Sequence, residues 1–81
     1  MTREEILEKL KNIIVESKED NNFDVSKINE DTELLRDLEF DSLAMVYMAV
    51  ILEQKFNCKI NNEDYKKIKT VGDVIDIVLI K

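Results

Sequence analysis

The chain carries the stretch Asp37-Leu38-Glu39-Phe40-Asp41-Ser42-Leu43 immediately before its longest apolar run, residues 43–52. A serine that follows an aspartate at the head of such a run is typical of a helix start. The hydroxyl or the carboxylate there can accept a hydrogen bond from an unpaired backbone N–H of the first turn. We therefore predict a helix from Ser42 to about Phe56. Ser42 is then either a helix cap and nothing more, or an exposed serine with a further function.

The composition predicts one small helical domain over residues 1–81. A chain of 81 residues with 44% hydrophobic side chains can bury a modest single core. It has no proline and one glycine, which favours helices over hairpins. A single cysteine and no signal-peptide pattern after Met1 lead us to expect a cytoplasmic location. No apolar run reaches the length of a membrane span, so we expect no membrane insertion.

The formal net charge of −6 is concentrated before Ser42. Residues 18–41 carry nine acidic and three basic side chains. This balance argues against nucleic acid as a partner and for proteins with basic surfaces. The acidic segment is either a solvated loop or a region that speeds encounters with such partners.

Three further helices are predicted around this one. Thr2 and Glu5 form a capping box at the start of a first helix, which ends near Ser17. The apolar residues of this helix recur at helical spacing: Ile6, Leu7, Leu10, Ile13 and Ile14. Residues 18–41 show no regular period and are predicted to form a long loop attached to the core. Asn61 or Asn62 can cap a short helix that ends near Lys67.

The last segment, which begins at Thr70, has two interpretations. Asp73 lies three residues after Thr70 as a capping partner, and Val71, Val74, Ile75 and Val78 share one helical face. The segment is rich in β-branched residues, so a strand is the competing prediction. The spacing and the cap favour a helix.

The helix that starts at Ser42 has two apolar faces. The face expected to point inward consists of Met45, Met48, Ala49, Leu52 and Phe56. The second face, which we call the outer stripe, consists of Leu43, Val46, Tyr47 and Val50. The outer stripe is either covered by the loop 18–41 or exposed as a docking surface for a partner.

The residues exclude most catalytic chemistry. The chain has no histidine, which rules out a Ser-His-Asp hydrolase that uses Ser42. One cysteine without histidine offers no zinc site, and no glycine-rich phosphate loop is present. We therefore expect no metal site and no enzymatic activity. An exposed serine beside an apolar face suits a residue on which other proteins act.

The order of these features resembles that of an acyl carrier protein. The resemblance rests on residues 37–43, on Glu53-Gln54-Lys55-Phe56 at the end of the apolar helix, on the short acidic helix after Ile60, and on Ile68-Lys69-Thr70-Val71-Gly72-Asp73-Val74. It covers nearly the whole chain. It implies an all-α four-helix bundle of three longer helices and a short third helix, with a long loop between the first two and the first helix against the second and fourth.

The resemblance also implies a function and a set of sites. Ser42 would carry 4′-phosphopantetheine, installed by a phosphopantetheinyl transferase, and Asp41 would help that transferase to place its metal and substrate. The chain would act as a monomer that shuttles acyl groups, as thioesters, between acyl-transferring or condensing enzymes with basic or apolar docking surfaces. The outer stripe, Leu43, Val46, Tyr47 and Val50, would meet these partners. An acyl-chain pocket would be lined by Met48, Leu52, Phe56, Ile60 and Ile68.

Several positions depart from the family pattern. Glu39 replaces a glycine, so the turn there has no permissive residue. Ala44, Tyr47 and Lys66 stand where acidic residues are frequent, and Asn61 where proline is common. These departures leave the pathway open among fatty-acid, polyketide and related lipid biosynthesis. The alternatives are a discrete aminoacyl or peptidyl carrier and a cofactor-free helical interaction module.

Overall fold

The computed structural model of the protein describes residues 2–17 and 24–80. Four α-helices occur in these ranges: α1 (Arg3–Ser17), α2 (Ser42–Phe56), α3 (Asn62–Lys67) and α4 (Val71–Ile80). No β-strand forms within the described ranges, although Glu33 and Thr70 make an isolated antiparallel bridge. The all-α prediction of three longer helices and a short third helix is confirmed, and the last segment is a helix. The predicted loop begins with residues 18–23, which lie outside the described residues.

The predicted helix starts are confirmed by hydrogen bonds. At α1 the Glu5 N–H donates to Thr2 Oγ1 at 3.2 Å, and at α3 the Asp64 N–H donates to Asn61 Oδ1 at 2.8 Å. Thr70 and Asp73 exchange two hydrogen bonds at the start of α4. The pKa of Asp73 is lowered: burial raises it, but the bonds donated by Thr70 and Lys69 outweigh that effect. Each cap satisfies N–H groups that have no partner inside their own helix.

The core lies where α1 packs against α2 and α4, as predicted. The three longer helices contribute fully buried side chains, such as Ile6 and Leu10 from α1, Met48 and Leu52 from α2, and Ile75 from α4. The connection before α2 adds four more buried apolar residues: Ile28, Leu34, Leu38 and Phe40. The loop is therefore attached to the core, as its scattered apolar residues predict. It also contains a short 3-10 helix, Val25–Lys27, which the sequence analysis missed.

Backbone hydrogen bonds join this connection to the start of α4. The Gly72 N–H donates to Glu30 O at 2.8 Å, and the Val71 N–H donates to Thr32 O at 2.9 Å. In the opposite direction the Leu34 N–H donates to the carbonyl oxygen of Lys69 at 3.0 Å. Residues 30–34 therefore supply partners for the first N–H groups of α4, and we call this arrangement the loop–α4 pairing.

Arg3 adds a polar contact next to the loop–α4 pairing. Its guanidinium donates to both carboxylate oxygens of Glu30, and its NH1 group lies 2.8 Å from Asp76 Oδ1 on α4. The hydrogen bond from Arg3 lowers the pKa of Glu30, and the two carboxylates raise the pKa of Arg3. These groups are exposed, so we expect them to fix the position of the loop more than to add stability.

Leu34 and Leu35 provide a matched test of how the loop is attached. Leu34 is fully buried, whereas Leu35 is 61% exposed. Leu34→Ala should lower the free energy of unfolding by about 2–5 kcal/mol, because it leaves a cavity under the loop. Leu35→Ala should change it by less than about 0.5 kcal/mol. Urea unfolding followed by circular dichroism measures both. Equal effects for the two variants would contradict this account of the loop.

Candidate functional site

Asp41 and Ser42 have different roles at the start of α2. Asp41 has an extended backbone, and its Oδ1 accepts a hydrogen bond from the Ala44 N–H at 2.8 Å. Asp41 is therefore the N-cap, and Ser42 is the first residue of the helix. Ser42 is exposed, and its hydroxyl makes no hydrogen bond with any other described residue. The capping interaction leaves this hydroxyl available for other chemistry.

The approach to Ser42 alternates between buried and exposed residues. Leu38 and Phe40 are buried, whereas Glu39 and Asp41 are exposed. The Phe40 N–H also donates to Leu34 O at 3.0 Å, which ties the approach to the buried loop. Glu39 adopts a left-handed conformation with φ of 55°, an arrangement that costs a non-glycine residue about 1–2 kcal/mol. Glu39 therefore adopts this conformation without the glycine that the family usually has there, and the buried side chains of Leu38 and Phe40 hold it in place.

The start of α2 suits a covalently attached phosphate. The 15-residue helix directs its positive end at Ser42, and anions are stabilised at such an end. The exposed carboxylates of Asp37, Glu39 and Asp41 precede it. An anion on Ser42 is therefore attracted by the helix and repelled by the acidic approach.

The outer stripe is exposed. The exposed fractions are 77% for Leu43, 51% for Val46, 55% for Tyr47 and 47% for Val50. These residues, with Ile51 and Gln54, line a depression of about 340 Å³. Of the two interpretations, covered or exposed, the structure supports the second. Ala44, in contrast, is buried, so of the two departures on this helix only Tyr47 changes the exposed surface.

A second depression, which we call the Ser42 cleft, lies between α2, α3 and the loop. It measures about 300 Å³ and is lined by Leu35, Ser42, Met45, Tyr65, Lys66 and Ile68. Of the residues predicted to form an acyl-chain pocket, Ile68 lies here. Met48 and Leu52 are buried in the core, and Phe56 and Ile60 pack against the core with part of their surface exposed. Of the five, Ile68 is the one that lines the Ser42 cleft, and an acyl-chain pocket formed by all five stays a prediction.

Four residues that line the Ser42 cleft were missed by the sequence analysis of the site: Leu35, Met45, Tyr65 and Lys66. The helix α3 has only six residues, too few for a periodic pattern to indicate which side faces Ser42. Leu35 follows a buried leucine in an irregular segment, where periodicity gives no guidance. The one sequence feature that could have indicated this cleft was Lys66, a basic residue at a position where acidic residues are frequent in the family.

Comparisons with known proteins agree with this geometry. The family described as "Phosphopantetheine attachment site" matches residues 8–78. The acyl carrier protein of Lactobacillus acidophilus is 38% identical over 80 residues, which cover 96% of this chain and 94% of that protein. The acyl carrier protein of Thermotoga maritima is 38% identical over 77 residues, which cover 95% of this chain and 91% of that protein.

A solved structure of the acyl carrier protein from Enterococcus faecalis superimposes with a TM-score of 0.77 at 33% identity, covering 98% of this chain and 96% of that one. The chain belongs to the acyl carrier protein family. As an acyl carrier protein it bears a covalent 4′-phosphopantetheine arm and carries acyl groups on it. These findings favour the carrier over the cofactor-free interaction module.

Members of the acyl carrier protein family are carriers rather than catalysts. They interact with a phosphopantetheinyl transferase and with biosynthetic enzymes. Among the helices described here, none is both long enough and apolar enough to cross a membrane.

The cap formed by Asp41 can be separated from its charge. Asp41→Ala should lower the free energy of unfolding by about 1 kcal/mol, because the Ala44 N–H loses its acceptor. Asp41→Asn keeps a side-chain oxygen at that place and should stay within about 0.5 kcal/mol of the parent. Urea unfolding of the two variants measures the difference. The assignment of Asp41 as the cap would be wrong if the alanine variant were as stable as the asparagine variant.

Proposed function

We propose that Ser42 is the residue to which the 4′-phosphopantetheine arm is attached. The observation that carries this proposal is an exposed serine hydroxyl, free of hydrogen bonds to other described residues, at the first position of a 15-residue helix. A transferase can reach such an oxygen without unfolding the domain. The arm's terminal thiol then supplies the thioester linkage to the acyl group, so the chain needs no reactive cysteine of its own.

Asp41 has a second role in this proposal. Its carboxylate caps α2 through one oxygen, Oδ1. It lies directly beside Ser42 in sequence, and we assign to it the placement of the transferase's metal and substrate. The negative charge of Asp41, and not its capping hydrogen bond, is the property that this role requires.

The outer stripe is the surface on which partner enzymes dock. An exposed apolar patch beside the modified serine suits partners with an apolar centre. The acidic approach, Asp37, Glu39 and Asp41, suits basic groups at the edge of the same partner site. Such partners are the transferase and acyl-transferring or condensing enzymes.

The cargo that we assign is an acyl group of fatty-acid, polyketide or related lipid biosynthesis. The relatives named above are acyl carrier proteins, which favours this cargo over aminoacyl or peptidyl groups. In this proposal the Ser42 cleft, which Ile68 lines, receives the part of the acyl group next to the arm. The other residues assigned to the acyl-chain pocket are Met48 and Leu52, which are buried, and Phe56 and Ile60, which are partly buried. The chain works as a cytoplasmic monomer, as one domain over residues 1–81, without catalytic activity.

The attachment site is tested by modification in vitro. The chain is incubated with coenzyme A and a broad-specificity phosphopantetheinyl transferase, and intact mass is measured. We expect the mass increment of one 4′-phosphopantetheinyl group on the parent chain and none on Ser42→Ala. An increment that persists in Ser42→Ala would exclude Ser42 as the attachment residue.

Asp41→Asn serves as a control for the fold in the same assay. It keeps the cap, so a slower modification rate in this variant reports the loss of charge and not the loss of the helix start. An unchanged rate would remove the assigned role of Asp41 in transfer without affecting Ser42.

The docking surface is tested with Tyr47 and Lys55, which are both exposed on α2. Tyr47 belongs to the outer stripe, whereas Lys55 does not. Tyr47→Ala should weaken binding to a condensing enzyme of the same organism by about tenfold, the effect of removing an aromatic anchor. Lys55→Ala should have little effect.

Calorimetry at low and high salt completes this test. Binding should weaken as salt rises, because the acidic approach contributes to it. Affinity that is independent of salt would assign the interaction to the apolar stripe alone, and affinity that is independent of Tyr47 would contradict the docking surface.

A further inference from the structure

Lys66 faces Ser42 across a shared space. The two residues line the same cleft, Ser42 from the start of α2 and Lys66 from the last turn of α3. A lysine side chain is long and flexible, and its ammonium group offers three hydrogen-bond donors. An anionic group fixed to the Ser42 hydroxyl therefore shares this cleft with a cation that belongs to a different helix.

The charge of Lys66 is not used elsewhere in the described structure. Lys66 differs in this respect from Arg3, which binds Glu30 and Asp76, and from Lys69, which lies 3.8 Å from Glu33. Lys66 is exposed and forms no salt bridge with a described residue. The nearest carboxylate before it on α3, Asp64, is engaged with Asn61 in the capping box. A permanent cation is thus left at the rim of the cleft.

The surroundings of Ser42 are asymmetric in charge. Asp37, Glu39 and Asp41 lie on the chain that leads into Ser42, and all three are exposed. A phosphodiester carries one negative charge at neutral pH, so these carboxylates repel it. Lys66 and the positive end of α2 attract it. Lys66 therefore attracts the phosphodiester toward the last turn of α3, whereas the acidic residues of that helix, Glu63 and Asp64, lie in its first turn.

The remaining walls of the cleft suit the chemistry next to that phosphodiester. Leu35, Met45 and Ile68 provide apolar surface, and Tyr65 adds an aromatic ring. In the pantetheine part of the arm a methylene follows the phosphate, and the next carbon bears two methyl groups, which gain from contact with apolar side chains. An ion pair at Lys66 would direct this part of the arm over the apolar wall.

We propose that Lys66 is the counter-ion of the phosphodiester on Ser42 and holds the base of the arm across the Ser42 cleft against α3. This inference rests on the proposed attachment at Ser42. Lys66 acts here as a positioning residue: it sets the direction in which the arm leaves the domain.

The chain contains a matched control for this proposal. Lys67 is the next residue on the same short helix, is also exposed, and does not line the cleft. Both lysines lie in the last turn of α3, where a positive charge favours the helix to a similar extent. Replacing either one therefore has the same effect on net charge and a similar effect on the helix. Only the Lys66 replacement removes the cation from the cleft.

The test uses the arm-bearing chain without an acyl group, prepared as the parent and as Lys66→Gln, Lys67→Gln and Lys66→Arg. Intact mass first confirms one arm on each variant. The phosphorus resonance of the phosphodiester is then recorded by NMR at neutral pH and at increasing salt, together with the backbone amide resonances of residues 65–68. We expect the parent phosphorus resonance to move with salt as the ion pair dissociates.

Lys66→Gln should start near the high-salt position and lose most of its salt dependence. This corresponds to an approximately two- to five-fold lower ratio of docked to free arm, the size expected of an exposed ion pair. Lys66→Arg and Lys67→Gln should give the same phosphorus resonance and salt dependence as the parent. Attachment of the arm should shift the amide resonances of residues 65–68 in the parent and in both of these variants. In Lys66→Gln these shifts should be smaller.

Three outcomes would overturn the proposal for different reasons. If Lys66→Gln and Lys67→Gln give the same resonance positions and salt dependence, Lys66 has no special contact with the phosphodiester. A contact of Lys66 with a carboxylate on the acyl group would leave the unloaded arm insensitive to Lys66 and would therefore also overturn it. If no variant accepts an arm, the mass measurement shows that the attachment at Ser42 has failed, and the inference fails with it.

Discussion

The loop–α4 pairing is the constraint on which the rest of the structure depends. The first N–H groups of any helix lack partners within that helix. In α4 two of them, from Val71 and Gly72, are satisfied by carbonyl oxygens of the connection between α1 and α2. The contact is so close that a Cβ atom on Gly72 would lie 3.0 Å from Glu30 O, a spacing tighter than side-chain carbons normally accept. A long irregular segment is thereby fixed by the start of a helix that follows much later in the chain.

This pairing determines where Ser42 stands. The Leu34 N–H donates to the carbonyl oxygen of Lys69, and the Leu34 carbonyl oxygen accepts a hydrogen bond from the N–H of Phe40. Phe40 lies two residues before Ser42. Lys69 follows α3 by two residues, so the same anchor also fixes the end of α3. The same backbone hydrogen bonds therefore hold the residues on both sides of the Ser42 cleft. The position of Lys66 at the Ser42 cleft therefore depends on the same backbone hydrogen bonds that hold the approach to Ser42.

Helix existence and helix starts were largely predictable from the sequence, because each start has a local signal. Asp41 followed by an apolar run predicted the start of α2 at Ser42, and Thr70 with Asp73 predicted a helix in a segment whose β-branched residues also suit a strand. The loop–α4 pairing was not predictable, since backbone hydrogen bonds carry no residue signature and join positions about forty residues apart. For the same reason the sequence indicated Ser42 and the outer stripe, which share one helix, but not the placement of Lys66.

The departures from local rules are concentrated around the candidate site. Glu39 holds a left-handed conformation that glycine adopts more easily, and the outer stripe leaves four large apolar side chains exposed. Carboxylates at Asp37, Glu39 and Asp41 are crowded into five residues, at a cost in mutual repulsion. Departures outside this region are isolated: Asn57 has a positive φ at the end of α2, and Leu35 and Ile80 are exposed apolar residues. Conflicts of this kind persist where function requires them, because a core that satisfies every other rule can sustain their cost. Within residues 37–50 the strained Glu39, the crowded carboxylates and the exposed outer stripe occur together, and this combination is consistent with the proposed docking surface beside Ser42.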